Sequence, residues 1–215
     1  MKTLFITAAL IFTGIAGFAQ DKDPKAKAVL DEVSKKIKSY TSFSVEFSSN
    51  MKNSGGANEN ISGKAIIKGN KYIIESGNQK ILCDGKTVWT IMHKEKEVYP
   101  NPLEEGDAED QLLNPTKMFT IWEKDFKYRW IKEEVVAGVT LVEIHLFPMN
   151  PAKSKFHTVI VKINKATNEL HTVIVKGKDG DVLTYKLLKL TPNVPVNDAD
   201  FKFDKAKYPG YTVIE

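Results

Sequence analysis

The chain has 215 residues, 42% hydrophobic and 27% charged, with a net charge of +4, which suits one domain with a substantial core. Arg129 is the single arginine among 31 basic residues; the arginine forks favoured in nucleic-acid recognition are missing, and no nucleic-acid partner is expected. Cys83 is the sole cysteine, so no internal disulfide forms and stability must come from packing.

Residues 1–19 read as a secretory signal: Lys2 gives a positive start, Leu4 to Gly17 is almost wholly apolar, and Gly17-Phe18-Ala19 supplies small residues for cleavage before Gln20. The run is short for a membrane span, and no cysteine lies near the cut to take a lipid anchor. Residues 20–215 are expected to form one exported domain.

Ala26, Val29, Leu30, Val33, Ile37 and Tyr40 follow 3-4 spacing and predict an amphipathic helix. Phe43, Val45 and Phe47 alternate with Ser42, Ser44, Glu46 and Ser48, a half-buried strand. A polar turn at residues 53–58 follows. Ile61 to Lys68 and Lys71 to Glu75 flank Gly69-Asn70, and Ile81 to Cys83 and Thr87 to Met92 flank Asp84-Gly85, giving two hairpins. Val98-Tyr99 closes this set before Pro100 and Pro102.

Residues 101–125 break the rhythm. Glu104, Glu105, Asp107, Glu109 and Asp110 form an acidic stretch, followed by Leu112-Leu113. Asn114 as N-cap and Pro115 at the first helical position start a short helix, with Met118, Phe119 and Trp122 expected on one face. That face suits either an ordinary core or a lid over an apolar cavity.

Strands are predicted again at Phe126 to Lys132, Glu134 to Val136 and Thr140 to Phe147, with Ala137-Gly138 between the last two. His157-Thr158-Val159-Ile160-Val161-Lys162 recurs letter for letter from His171 to Lys176 around a turn, forming a meander; two copies are too few for a solenoid. A strand from Asp181 to Leu190, a helical turn at residues 197–201 and a closing strand around Phe203 and Tyr211–Val213 complete the chain. About ten or eleven sequential strands favour a sheet that curls into an open or closed barrel.

No catalytic constellation accompanies this pattern. Gly85-Lys86-Thr87 resembles the end of a phosphate loop, but Lys80 stands where the first glycine is required and a strand follows. The four histidines lack local zinc spacing, and no serine sits in a Gly-x-Ser-x-Gly elbow. Asp179-Gly180-Asp181 is too short for a calcium loop. Cys83 follows Ile81 and Leu82 and reads as a buried, inert thiol.

Three features resemble the outer-membrane lipoprotein carrier family, LolA. They are the helix running into Tyr40-Thr41-Ser42-Phe43-Ser44-Val45-Glu46-Phe47, the hairpin Cys83-Asp84-Gly85-Lys86-Thr87-Val88-Trp89, and the ending Phe201-Lys202-Phe203 with Tyr208-Pro209-Gly210-Tyr211-Thr212-Val213. The resemblance implies a mainly β fold: an incomplete, open antiparallel barrel of about 10–11 strands with a helical lid. It implies a periplasmic, non-enzymatic carrier without cofactor, working as a monomer. Its partners would be acylated lipoproteins and the inner-membrane lipoprotein-releasing ABC transporter, with an outer-membrane acceptor left unspecified. Phe43, Val45, Phe47, Tyr72 and Trp89 would line the cargo wall; Leu30, Val33, Ile37, Met118, Phe119 and Trp122 would form the lid. The family often carries Lys-Arg-Pro before its aromatic third strand, where this chain has Lys68-Gly69-Asn70-Lys71-Tyr72. Lys68 or Lys71 would have to replace the charge of the missing arginine, without its bidentate fork.

Two other readings stay open. The same half-barrel could serve as a lipid- or lipoprotein-sensing module that signals to a partner, or it could host a hydrolase with dispersed catalytic residues.

Overall fold

Asp23 starts the first helix. Its carboxylate accepts from the backbone N–H groups of Lys25 (2.8 Å) and Ala26 (3.3 Å), and Pro24 takes the first helical position. This helix, α1, runs Pro24–Lys38, with Lys35, Lys36 and Lys38 in its last turn, where cations suit the helix dipole. The computed structural model describes residues 21–103 and 114–214. The signal segment and the acidic stretch with Leu112-Leu113 therefore lie outside the described residues.

Alternating side chains and tight turns give six sequential strands: β1 (Phe43–Lys52), β2 (Asn58–Lys68), β3 (Lys71–Ser76), β4 (Gln79–Cys83), β5 (Thr87–Met92) and β6 (Glu97–Pro102). The short helix α2 (Pro115–Met118) and a 3-10 turn at Ile121–Glu123 precede β7 (Phe126–Val136), β8 (Val139–Pro148), β9 (Phe156–Asn164), β10 (Glu169–Gly177) and β11 (Val182–Pro192). A two-residue strand, β12 (Thr212–Val213), ends the order β12-β6-β5-β4-β3-β2-β1-β11-β10-β9-β8-β7.

The pairing of β1 with both β2 and β11 joins the two meanders into one sheet. Eleven strands at about 4.8 Å spacing would span roughly 50 Å if flat. Yet one apolar cluster unites Ile81 of β4, Val88 of β5, Tyr128 and Trp130 of β7, and Leu30 and Val33 of α1. Only a curled sheet brings strands near both edges to one short helix. The edges β12 and β7 do not pair with each other, so the barrel stays open, as the resemblance implies.

Four details depart from expectation. The segment expected as two strands at residues 126–136 is one strand, because a bulge at Ile131 absorbs the break in alternation. Phe203 lies in no strand; it packs instead against the outer face of the sheet. Strand β12 pairs with β6 in parallel, making the sheet twelve-stranded and not wholly antiparallel. The helix expected to carry Met118, Phe119 and Trp122 together ends at Met118. Phe119 is its C-cap, and Trp122 sits on the following 3-10 turn.

Both faces of the first meander are covered, which explains its burial pattern. On the inner face Ala65, Ile67, Tyr72, Cys83, Phe43 and Val45 meet the helices. On the outer face Ile73, Leu82, Ile91 and Val98 are buried under Phe201, with Phe203, Tyr208, Tyr211 and Val213 packed around them. Lys68 and Lys71 fasten this C-terminal belt through Asp198, at 2.8 and 2.7 Å.

Candidate functional site

The inner face is the natural candidate, because it gathers most of the apolar positions singled out from sequence. Leu30 and Val33 of α1 are buried there, with Ile37 packed alongside. Phe119 meets Phe43 edge-on at a centroid distance of 5.2 Å, and Met118 packs beside them. Trp122 is 2% exposed, and its indole N–H reaches the Ser34 hydroxyl at 2.9 Å and the Leu30 carbonyl at 3.1 Å. Burying an indole requires such an acceptor, so α1 and the 3-10 turn are tied as one cover. Ser34 was legible only as a polar interruption four residues after Leu30 in an apolar stripe.

Tyr72 and Cys83 stand opposite each other on β3 and β4, facing inward. Burial pushes both the Tyr72 hydroxyl and the Cys83 thiol up from their ordinary pKa values. Cys83 is fully buried, as its apolar neighbours suggested. The Asp84 carboxylate shapes the next turn by accepting from the N–H groups of Lys86 and Thr87, each at 3.0 Å. Burial raises the Asp84 carboxyl, but those two donors together with the charges of Lys202 and Lys86 outweigh it and leave its pKa lowered.

Trp89 does not join this wall. Strand alternation sends Val88 to the inner face and Trp89 to the outer one, opposite Leu82 and beside the C-terminal aromatics. Lys68 and Lys71 pair neither with α1 nor with α2: both are engaged by Asp198, at the start of the 3-10 turn Asp198–Phe201 of the C-terminal belt.

Along β1 the inner face runs on past the helices through Phe47, Ser49 and Met51. Phe47 is partly buried, whereas Met51 and Ile61 are 44% and 40% exposed. Gly63 lies opposite Phe47, and a Cβ there would meet the Phe47 ring at 2.8 Å, so the ring lies directly on the glycine. Tyr185 and Leu187 of β11 flank the same strip from the other side. Met51, Ile61, Gly63 and Tyr185 escaped sequence reasoning; alternation through residues 43–51 carries the signal for Met51.

Among the described residues no cluster of histidine, cysteine or carboxylate side chains could hold a metal ion. The histidines are separately engaged: His93 with Tyr211, His145 with Glu143, His157 with Thr158 and His171 with Thr172. No helix among them is long and apolar enough to cross a membrane.

A sequence model of the family described as outer membrane lipoprotein carrier protein LolA matches residues 15–180. No curated protein matches the sequence. An uncharacterized conserved protein of Thermus thermophilus shares the fold with a TM-score of 0.57 at 11% identity, covering 88% of this chain and 98% of its own. A DUF1329 family protein of Desulfovibrio piger gives 0.50 at 12% identity, over 82% and 96% of the two chains. A LolA superfamily protein of Nitrosomonas europaea gives 0.46 at 14%, over 84% and 98%.

Proposed function

The chain belongs to the outer membrane lipoprotein carrier family, LolA, and from that premise we propose that it is a periplasmic carrier, sheltering lipoprotein acyl chains on the inner face of its sheet. It takes them from the inner-membrane releasing transporter and ferries them towards the outer membrane, without catalysis and without a cofactor. The observation that supports this most directly is the inner apolar strip that continues beyond its helical cover, through Phe47, Met51 and Ile61.

Each buried methylene contributes about 0.8 kcal/mol, so a sixteen-carbon chain could gain roughly 12 kcal/mol. Such a gain holds cargo in water but would make release slow. A cover that must move aside lowers the net affinity by its own closing equilibrium. The α1 helix with Phe119 and Trp122 is suited to that part: its middle rests on the sheet through Leu30 and Val33, and its polar tethers, Asp23 to the Trp130 N–H and Lys36 to Glu169, sit towards its two ends. Phe43, Val45 and Tyr72 would then be uncovered together.

The test is purification of the exported protein with mass spectrometry of bound acylated lipoproteins, compared with Phe47→Glu. The wild type should retain lipid-modified proteins, and the folded variant should lose them. Equal cargo on a folded Phe47→Glu variant would sink the assignment of this face.

A further inference from the structure

The hairpin joining β7 to β8 carries a feature that no part of a cargo cavity explains. Val135, Val136, Ala137 and Gly138 are exposed in succession, followed by half-exposed Val139; Val135 is 70% exposed, more than any other large apolar side chain among the described residues. An uninterrupted exposed apolar run is rare without a function. The ladder with the neighbouring strand β9 ends at Asn164, opposite Leu141, and one further backbone bond runs from the Lys165 N–H to the Thr140 carbonyl at 3.0 Å, so the tip beyond Thr140 projects past the sheet. Two residues of strand correspond to about 7 Å of reach.

The turn itself points the same way. Ala137 (φ 49°) and Gly138 (φ 81°) both have positive φ, the geometry of a two-residue hairpin loop that favours asparagine, aspartate or glycine at its first position. Of the five non-glycine residues with positive φ among the described residues, Ala137 is the only apolar one; Asn168 and Asn193 adopt a similar φ with the favoured side chain. Alanine gives up conformational ease and keeps the tip free of polar side chains.

Below the tip the charges are matched. Glu133 pairs with Lys165 at 2.7 Å, and Glu134 pairs with both Lys132 and Lys162, which also reach Glu143 at 3.8 and 3.4 Å, so three carboxylates face three lysines. A collar of paired charges can approach lipid headgroups without burying a lone ion. A five-residue tip is far too small for a stable protein interface, which takes about 20–30 residues a side. Its reach matches the roughly 5–10 Å to which apolar surfaces enter the headgroup–acyl boundary.

We propose that the tip Val135–Val139 docks this protein on a phospholipid bilayer, seating its valines at the headgroup–acyl boundary while the paired collar stays among the headgroups. This docking uses the hairpin tip and not the Phe47–Met51–Ile61 strip, and it does not depend on the carrier reading.

Flotation with vesicles of phosphatidylethanolamine and phosphatidylglycerol tests it. The wild type should float, and raising the salt should change this little, because the collar is already neutral. Val135→Asp with Val136→Asp should lower partitioning at least about tenfold, the scale of two valine side chains. Ala137→Asn should also weaken it while leaving the melting temperature unchanged or raised, which mere damage to the fold would not do. Phe47→Glu should float like the wild type, which separates docking from cargo binding. A polarity-sensitive dye on Val136→Cys, with Cys83 shielded by burial, should brighten on vesicles and be quenched by acyl-chain quenchers. Failure of the wild type to float would overturn the proposal. So would dye brightening that follows protein concentration without vesicles, which would make the tip a contact between copies.

Discussion

Trp122 donates its indole N–H to the Ser34 hydroxyl across 2.9 Å of buried space, joining two segments 88 residues apart in sequence. The same N–H lies 3.1 Å from the Leu30 carbonyl. Truncating Ser34 therefore leaves the donor a second acceptor, whereas replacing the tryptophan removes the donor and part of the packing. Ser34→Ala should cost about 0.5–1.5 kcal/mol and Trp122→Ala about 3–5 kcal/mol in urea unfolding. A serine variant as damaging as the tryptophan one would show that the hydroxyl, and not the ring, holds the cover.

Gly63 tests how the strip beneath Phe47 is built. A Cβ at this position would lie 2.5 Å from the Glu75 carbonyl oxygen and 2.8 Å from the Phe47 ring. The ring can swing aside, but the carbonyl belongs to the neighbouring strand. Gly63→Val should destabilise by about 1–3 kcal/mol and displace the Phe47 ring. Thermal unfolding and the Phe47 ring signals in NMR would report the two effects separately.

The belt clamp should respond to acid. Hydrogen bonds from Lys68 and Lys71 hold the Asp198 carboxyl at about 2, against an ordinary value of 3.8. Because the folded value is the lower one, the clamp is fully present above about 3.8 and is lost as the pH falls through 2. The site is exposed, so its share of global stability is small. An NMR titration should give an Asp198 midpoint near 2, rising when either Lys68→Met or Lys71→Met is introduced. A midpoint near 3.8 in the wild type would mean the clamp is not formed in solution.

Cys83 offers a probe of the inner face. Its thiol is fully buried and raised in pKa, chiefly by desolvation. It should resist thiol reagents in the native protein and react only as the sheet opens. Its labelling rate should then follow denaturant as unfolding does. Prompt labelling of the folded protein would place the thiol at an accessible opening.

Much of the fold was legible because its signals are local. Alternation from Phe43 to Phe47, the Asp84-Gly85 turn, and Asn114-Pro115 opening a helix each act within a few residues, and each appears where the pattern places it. The bulge at Ile131 was not legible, since the same residues fit two strands as well as one bent strand. Trp89 shows the deeper limit. Its alternation with Val88 was plain, but a sheet covered on both faces makes both residues apolar. Nothing in the pattern says which face the helices take.

What the residues alone determined is the set of elements, their order and the mainly apolar character of both sheet faces, because backbone geometry and side-chain period are properties of short segments. Only the folded chain decided that α1 lies inside the curl and the C-terminal belt outside, that Lys68 and Lys71 serve the belt, and that the β7–β8 tip stands clear of its neighbours. Those outcomes depend on contacts between residues far apart in sequence, whose free energies become comparable only when the alternatives compete for the same surface.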